Sequence, residues 1–156
     1  MISNITQTRR RANGLGVQDL ESRGSQFTDL AACRSAMPSA FEDLDAWKVA
    51  RELTTKVYAL CRREPLARDF GLCDQLRRAS VSVMNNIAEG WESRHPAEKI
   101  SFYNFARRSC GEVRSMSYVL LDFHFIGEPE HLELRDHCIR SGMLVSGLIR
   151  SVAIRN

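Results

Sequence analysis

The chain has 156 residues, 44% of them hydrophobic and 26% charged, with a formal net charge of +3. Such values describe an ordinary globular chain of one domain plus a tail, and they exclude an intrinsically disordered protein. A surplus of three positive charges neither demands nor forbids a nucleic acid. No run of about eighteen apolar residues occurs, so no transmembrane helix is expected. The stretch from Met1 to Gly16 has no apolar segment, so no secretory leader is expected either. Cys33, Cys61, Cys73, Cys110 and Cys138 are widely spaced, with no CxxC pair. They read as free, mostly buried thiols of a cytoplasmic protein.

Residues 1–40 hold no sustained hydrophobic period and carry Ser, Thr, Arg and Asn throughout, as expected of a flexible tail. The basic run Arg9, Arg10, Arg11 reads first as solvated tail and second as a phosphate contact. Met37, just ahead of the first periodic segment, is a candidate start. From residue 41 onward the chain reads as one helical domain, 41–156.

In "FEDLDAWKVARELTTKVYALCRRE" the apolar residues Phe41, Leu44, Trp47, Ala50, Leu53, Val57 and Leu60 fall at helix spacing. Asp43 and Asp45 suit its first turn, Arg62 and Arg63 its last, and Pro65 ends it. The second helix is predicted from Leu72 to Trp91, with Asp69 as start signal and Gly90 marking its end. The third begins near "SRHPAEK", with Ser93 as candidate cap and Pro96 in the first turn, and continues to Ile126. A fourth runs from Pro129 to about Ile154 with a wide apolar face. No segment alternates with period two. Four long helices with short connections predict an all-α, antiparallel up-down-up-down four-helix bundle with a flexible N-terminal tail.

The second helix mixes small, polar and apolar residues on nearly every side. Its stripe Leu76, Ser80, Val83, Ile87 should face the core, with the Ser80 hydroxyl bonded back to a backbone carbonyl. The stripe Arg77, Val81, Met84, Ala88 is also mainly apolar and lies about 100° away. The stripe Arg78, Ser82, Asn85, Glu89 is polar. Two apolar faces call for two partners. Either both lie within one bundle, or Val81, Met84 and Ala88 meet another subunit.

"QLRRASVSVMNNIAEG", from Gln75 to Gly90, resembles the signature of the four-helix bundle proteins encoded in intervening sequences of 23S rRNA genes. "DLDAWKVARELTTKVYAL", "FGLCDQLRRA" and "FYNFARRSCGEV" resemble the same family in the first, second and third helices. The resemblance spans residues 41–154. It departs at Arg108, which stands where the family usually has a glycine before the serine. The resemblance implies a four-helix bundle, often assembled as a ring-like pentamer. The accessory proteins of diversity-generating retroelements are similar. They imply a basic pentamer with RNA and a reverse transcriptase as partners.

Arg77, Arg78, Lys99, Arg107, Arg108 and Arg114 are the candidate nucleic-acid contacts. Arg107 and Arg114 are seven apart on one helix face. If the second and third helices are neighbours, these charges form a band that a symmetric ring would repeat, multiplying phosphate contacts. Against this, residues 41–156 hold 17 basic and 16 acidic side chains, and Arg108 and Glu112 are spaced to pair along the helix. Any basic patch therefore depends on sorting in space.

A metal-carboxylate bundle enzyme needs Glu-x-x-His on two helices. Only Glu128-Pro129-Glu130-His131 matches, and His124, His131 and His137 read as surface or boundary residues. Cys138 reads as core. No phosphate-cradling glycine loop, nucleophile elbow or zinc-spaced Cys/His set occurs. The chain thus reads as a non-enzymatic homo-oligomer without cofactor or metal. Its partner is RNA or DNA, or another protein that it scaffolds.

Overall fold

The computed structural model describes residues 38–154. The expectations for residues 1–37, among them the Arg9–Arg11 run and Met37 as a start, lie outside it. Four helices follow in chain order: α1 Asp45–Leu60, α2 Phe70–Glu92, α3 Pro96–Asp122 and α4 Glu128–Ile154. Two single 3-10 turns, Phe41–Asp43 and Leu66–Arg68, precede α1 and α2.

Cross-helix pairings show the direction of each helix. Thr54 meets Ser80 and Cys61 meets Cys73 between α1 and α2. Ser82 meets Ser109 and Trp91 meets Lys99 between α2 and α3. Between α1 and α4, Glu52 lies opposite His137, Lys56 opposite Glu133, and Arg63 opposite Glu130. As numbers rise on one helix they fall on its neighbour, as an up-down-up-down bundle requires.

The interior has two layers. Leu53, Val57, Leu66, Cys73, Leu76, Val113, Leu120, Leu134 and Cys138 fill the half nearest the α1–α2 connection. Leu44, Ala50, Val83, Ile87, Tyr103, Ala106, Cys110 and Val145 fill the other half. Each fully buried Leu or Ile contributes about 1.5–3 kcal/mol relative to exposure.

The predicted core stripe of α2 is buried as expected: Leu76, Ser80, Val83 and Ile87 are each at most 1% exposed. Its polar members are satisfied locally. The Ser80 hydroxyl donates to the Arg77 carbonyl at 3.0 Å. The Ser82 and Ser109 hydroxyls meet at 2.9 Å between α2 and α3, and Asn86 Nδ2 donates to the Ser82 carbonyl at 2.8 Å. Small side chains let the backbones approach, and their hydroxyls leave few buried polar atoms unpaired. Helix α2 lies between α1 and α3, which accounts for much of its many-sided character within a single bundle.

Helix ends depart from the periodicity in four places. Leu44 is extended (φ −68°, ψ 125°) and separates the 3-10 turn from α1. The first helix thus begins at Asp45, not Phe41; at its other end it stops at Leu60, and Arg62 and Arg63 lie beyond it. Asp69 caps α2 as predicted, its side chain accepting from the Leu72 N–H at 2.9 Å. Gly90, however, does not end that helix. It is a buried interior residue, and a Cβ there would lie 2.7 Å from Tyr103 Cδ1 and closer still to Cε1. Its role is close approach between α2 and α3.

Ser93 does not cap α3. It closes α2, its N–H and hydroxyl both donating to the Glu89 carbonyl at 2.9 and 2.7 Å. Pro96 does open α3. That helix stops at Asp122 rather than Ile126, because His124 turns left-handed at φ 57°. The Phe125 and Ile126 N–H groups then fold back onto the Leu120 carbonyl, at 2.9 and 3.3 Å. This reversal buries Ile126 in the core, which a continued helix would not do.

Candidate nucleic-acid interface

The six predicted basic residues do not form one band. Two serve helix ends. Arg77 is half-buried and donates to the Cys61 carbonyl at 3.1 Å, closing the C-terminus of α1, while its guanidinium lies 5.7 Å from the Tyr58 ring centre. Lys99 is half-buried and donates to the Gly90 and Trp91 carbonyls at 3.2 and 2.7 Å, closing α2. Cations satisfy orphan carbonyls at helix C-termini, so both residues carry structural work.

Two more lie toward the α2 side of the bundle. Arg78 is exposed, 3.6 Å from Asp74, and lines a shallow groove with Asp74, Gln75, Ser82 and Glu112. Two carboxylates in that groove offset its single guanidinium. Arg108 is exposed with its guanidinium 5.7 Å from the Phe105 ring centre. It makes no ion pair with Glu112 among the described residues.

Arg107 and Arg114 share a face, as their spacing predicts, but that face turns toward α4. There they line a groove of about 480 Å³ with Cys110, Gly111, Cys138, Ile139, Gly142, Met143, Ser146 and Arg150. Arg107, Arg114 and Arg150 are all exposed. Among the described residues, none that lines the groove is acidic, and none of the three arginines enters an ion pair. Arg150 was missed in the sequence because it is an isolated charge near the end of α4. Its signal was the stripe Ile139, Met143, Ser146, Arg150, spaced by four, three and four.

The groove floor is neutral. Burial pushes the Cys110 thiol above its ordinary value and that of Cys138 up to about 12. The nearby Arg114 pulls both the other way without overcoming desolvation. The sequence reading of Cys138 as core holds, at 2% exposure. The sign of the pH effect follows from burial. A thiol that ionises near 9 when unfolded and near 12 when folded leaves stability intact below pH 9, then removes it progressively as pH rises toward 12. Urea midpoints measured from pH 8 to pH 11 should therefore fall, and fall less steeply in Cys138→Ala. An unchanged slope in that variant would refute the assignment.

Val81, Met84 and Ala88 are half-buried, and Met84 packs partly on its own core. The same heptad-spaced stripe reaches back through Arg77 to Phe70, which is 80% exposed. His131, read from sequence as a surface or boundary residue, is buried. Its Nδ1 lies 3.1 Å from the Ser117 carbonyl, and its ring meets Tyr118 edge-on at 4.6 Å. The α4 face carrying it turns inward against α3. Among the described residues, no three His, Cys, Asp or Glu side chains converge as metal ligands would. No helix among them is long and apolar enough to cross a membrane.

Comparison with solved structures finds a protein of unknown function from Bacteroides thetaiotaomicron, of the S23 ribosomal protein family. It is 16% identical, with a TM-score of 0.63 over 67% of this chain and 95% of that one. At that identity the likeness speaks for the fold. No curated protein matches the chain. The family model described as 23S rRNA-intervening sequence protein matches residues 42–147. That match takes in the α2 signature, the packed Gly90, α3 and the part of α4 up to Gly147, while Arg150 lies beyond it, and the chain belongs to this 23S rRNA-intervening sequence protein family.

Proposed function

We propose that this protein is a non-enzymatic, self-associating bundle that binds RNA, or another nucleic acid, through the arginine groove of α3 and α4. One observation carries the reading. In a domain whose charges nearly cancel, Arg107, Arg114 and Arg150 gather on one groove with no carboxylate among its described lining residues. Three guanidiniums without an ion pair among the described residues suit phosphate, which accepts their forked hydrogen bonds. Contacts of this kind are salt-sensitive and weakly specific for sequence. Copies in a closed ring would repeat the groove and add the contacts of each subunit.

Self-association is supported by the outer stripe of α2. Phe70 stands at its head, and Val81, Met84 and Ala88 remain partly open along it. A second copy of the same stripe would cover these apolar surfaces in an isologous or ring contact.

The test is light-scattering mass of the purified protein at low and high salt, with and without a mixed RNA pool. The expected result is an oligomer, near five subunits, that gains RNA at low salt and releases it at high salt. Phe70→Ser should lower the mass. A monomer would refute self-association. An oligomer that ignores RNA at every salt concentration would refute the nucleic-acid role and leave a protein-binding scaffold.

A further inference from the structure

The arginine groove has a second property that phosphate binding does not use. Its two walls carry Gly111 on α3 and Gly142 on α4, both inside long helices. Glycine weakens a helix interior, so a helical glycine calls for a packing reason. Gly90 has one, since Tyr103 occupies the space a Cβ would need. Gly111 and Gly142 have none. A Cβ on either would meet no atom of the described residues within 4 Å. Two unpacked glycines thus open the same groove from opposite sides.

What they expose is apolar. Ile139 and Met143 line the groove beside Cys110 and Cys138, and Met143 is 68% exposed. The arginines belong to the same lining. An apolar recess with a few convergent charged groups is the composition of a site for an organic anion. The volume, about 480 Å³, lies within the range of small-molecule sites. A polyanion bound by charge alone would need no recess and no thioether.

We infer that the recess opened by Gly111 and Gly142 takes an unpaired nucleobase whose flanking phosphates are held by Arg107, Arg114 and Arg150, so that the groove selects single-stranded over duplex RNA. This rests on the RNA-binding reading above and names the form of RNA. A duplex keeps its bases stacked inside and offers the groove phosphates only. A single strand can turn a base outward. The polarizable Met143 thioether and Ile139 then meet its face. Selection of this kind tolerates sequence, because every base has such a face.

The experiment compares a labelled twelve-nucleotide single-stranded RNA of mixed sequence with the same strand in a duplex. It uses the full chain, Gly111→Leu, Gly142→Leu, and the triple variant Arg107→Gln, Arg114→Gln, Arg150→Gln. Leucine at either glycine enters open space, so the bundle should keep its helical circular dichroism. Gly111→Ala and Gly142→Ala, which should melt at higher temperature than the parent, provide a second pair. The parent chain should prefer the single strand by about tenfold, the worth of one base contact. Either leucine variant should lose that preference, its single-strand affinity falling by about tenfold relative to its own duplex affinity.

Leucine variants that bind the single strand as the parent does would overturn the recess, as would a parent that prefers the duplex. If the triple arginine variant loses RNA while the leucine variants keep it, only the recess fails. If the triple variant also binds normally, the arginine groove fails as the RNA site and the recess with it.

Discussion

Replacing Arg107, Arg114 and Arg150 together by glutamine should lower RNA affinity roughly a few hundred-fold at 50 mM salt and leave it almost unchanged near 1 M. The argument is counterion release. Each neutralised phosphate of a single strand contributes about −0.7 to the slope of log affinity against log salt, so three contacts contribute about −2. Between 50 and 200 mM the parent chain should weaken about twentyfold through this groove alone. The triple variant should lose that part of the slope. Arg78→Gln is the control. Its guanidinium already faces Asp74 and shares its groove with Glu112. Its loss should change affinity by less than about threefold, because exposed, paired charges contribute little. Titrations at four salt concentrations check both. A triple variant with the parent's slope would show that any binding occurs elsewhere on the molecule.

The second large effect is structural. Gly90→Ala should destabilise the bundle by about 1–3 kcal/mol, the usual cost of forcing an extra methyl into a packed core. A gain in helix propensity of up to about 1 kcal/mol offsets part of it. The Tyr103 ring must move, and at 2% exposure it has little room. Tyr103→Leu should relieve the overlap. In a double-mutant cycle, the pair should be more stable than the sum of the two single changes by about 1–2 kcal/mol. The same substitution at Gly111 or Gly142 should act in the opposite direction, raising stability by about 0.5–1 kcal/mol. Thermal melts of the three alanine variants would read these signs directly. A neutral Gly90→Ala would mean that α2 and α3 are held apart by something other than this contact.

Helix content, chain direction and the buried face of α2 were legible in the sequence. Hydrophobic spacing repeats strongly there, and Leu76, Ser80, Val83 and Ile87 went where their period sent them. The Asp69 cap was legible for the same local reason, since a cap bonds to the helix it precedes. Ends that depend on a neighbour were not. Gly90 looked like a stop signal, because glycine reads the same whether it ends a helix or admits a tyrosine ring from another one. His124 and the fold-back onto Leu120 are invisible to a periodic reading, because what they achieve is the burial of Ile126 in a core built by all four helices.

The candidate site shows the same division. The chain itself supplied the arginines and the shared face of Arg107 and Arg114, since residues seven apart on a helix align whatever surrounds them. Which helix that face would meet was decided by tertiary packing. It met α4, which brings Arg150 and the open Gly142 opposite the open Gly111 of α3, rather than α2. Packing likewise drew Arg77 and Lys99 away from solvent to the carbonyls that end α1 and α2. A charge's sign and spacing are properties of sequence. Whether it is engaged internally or left facing solvent depends on which unsatisfied groups lie within its reach once the helices are packed.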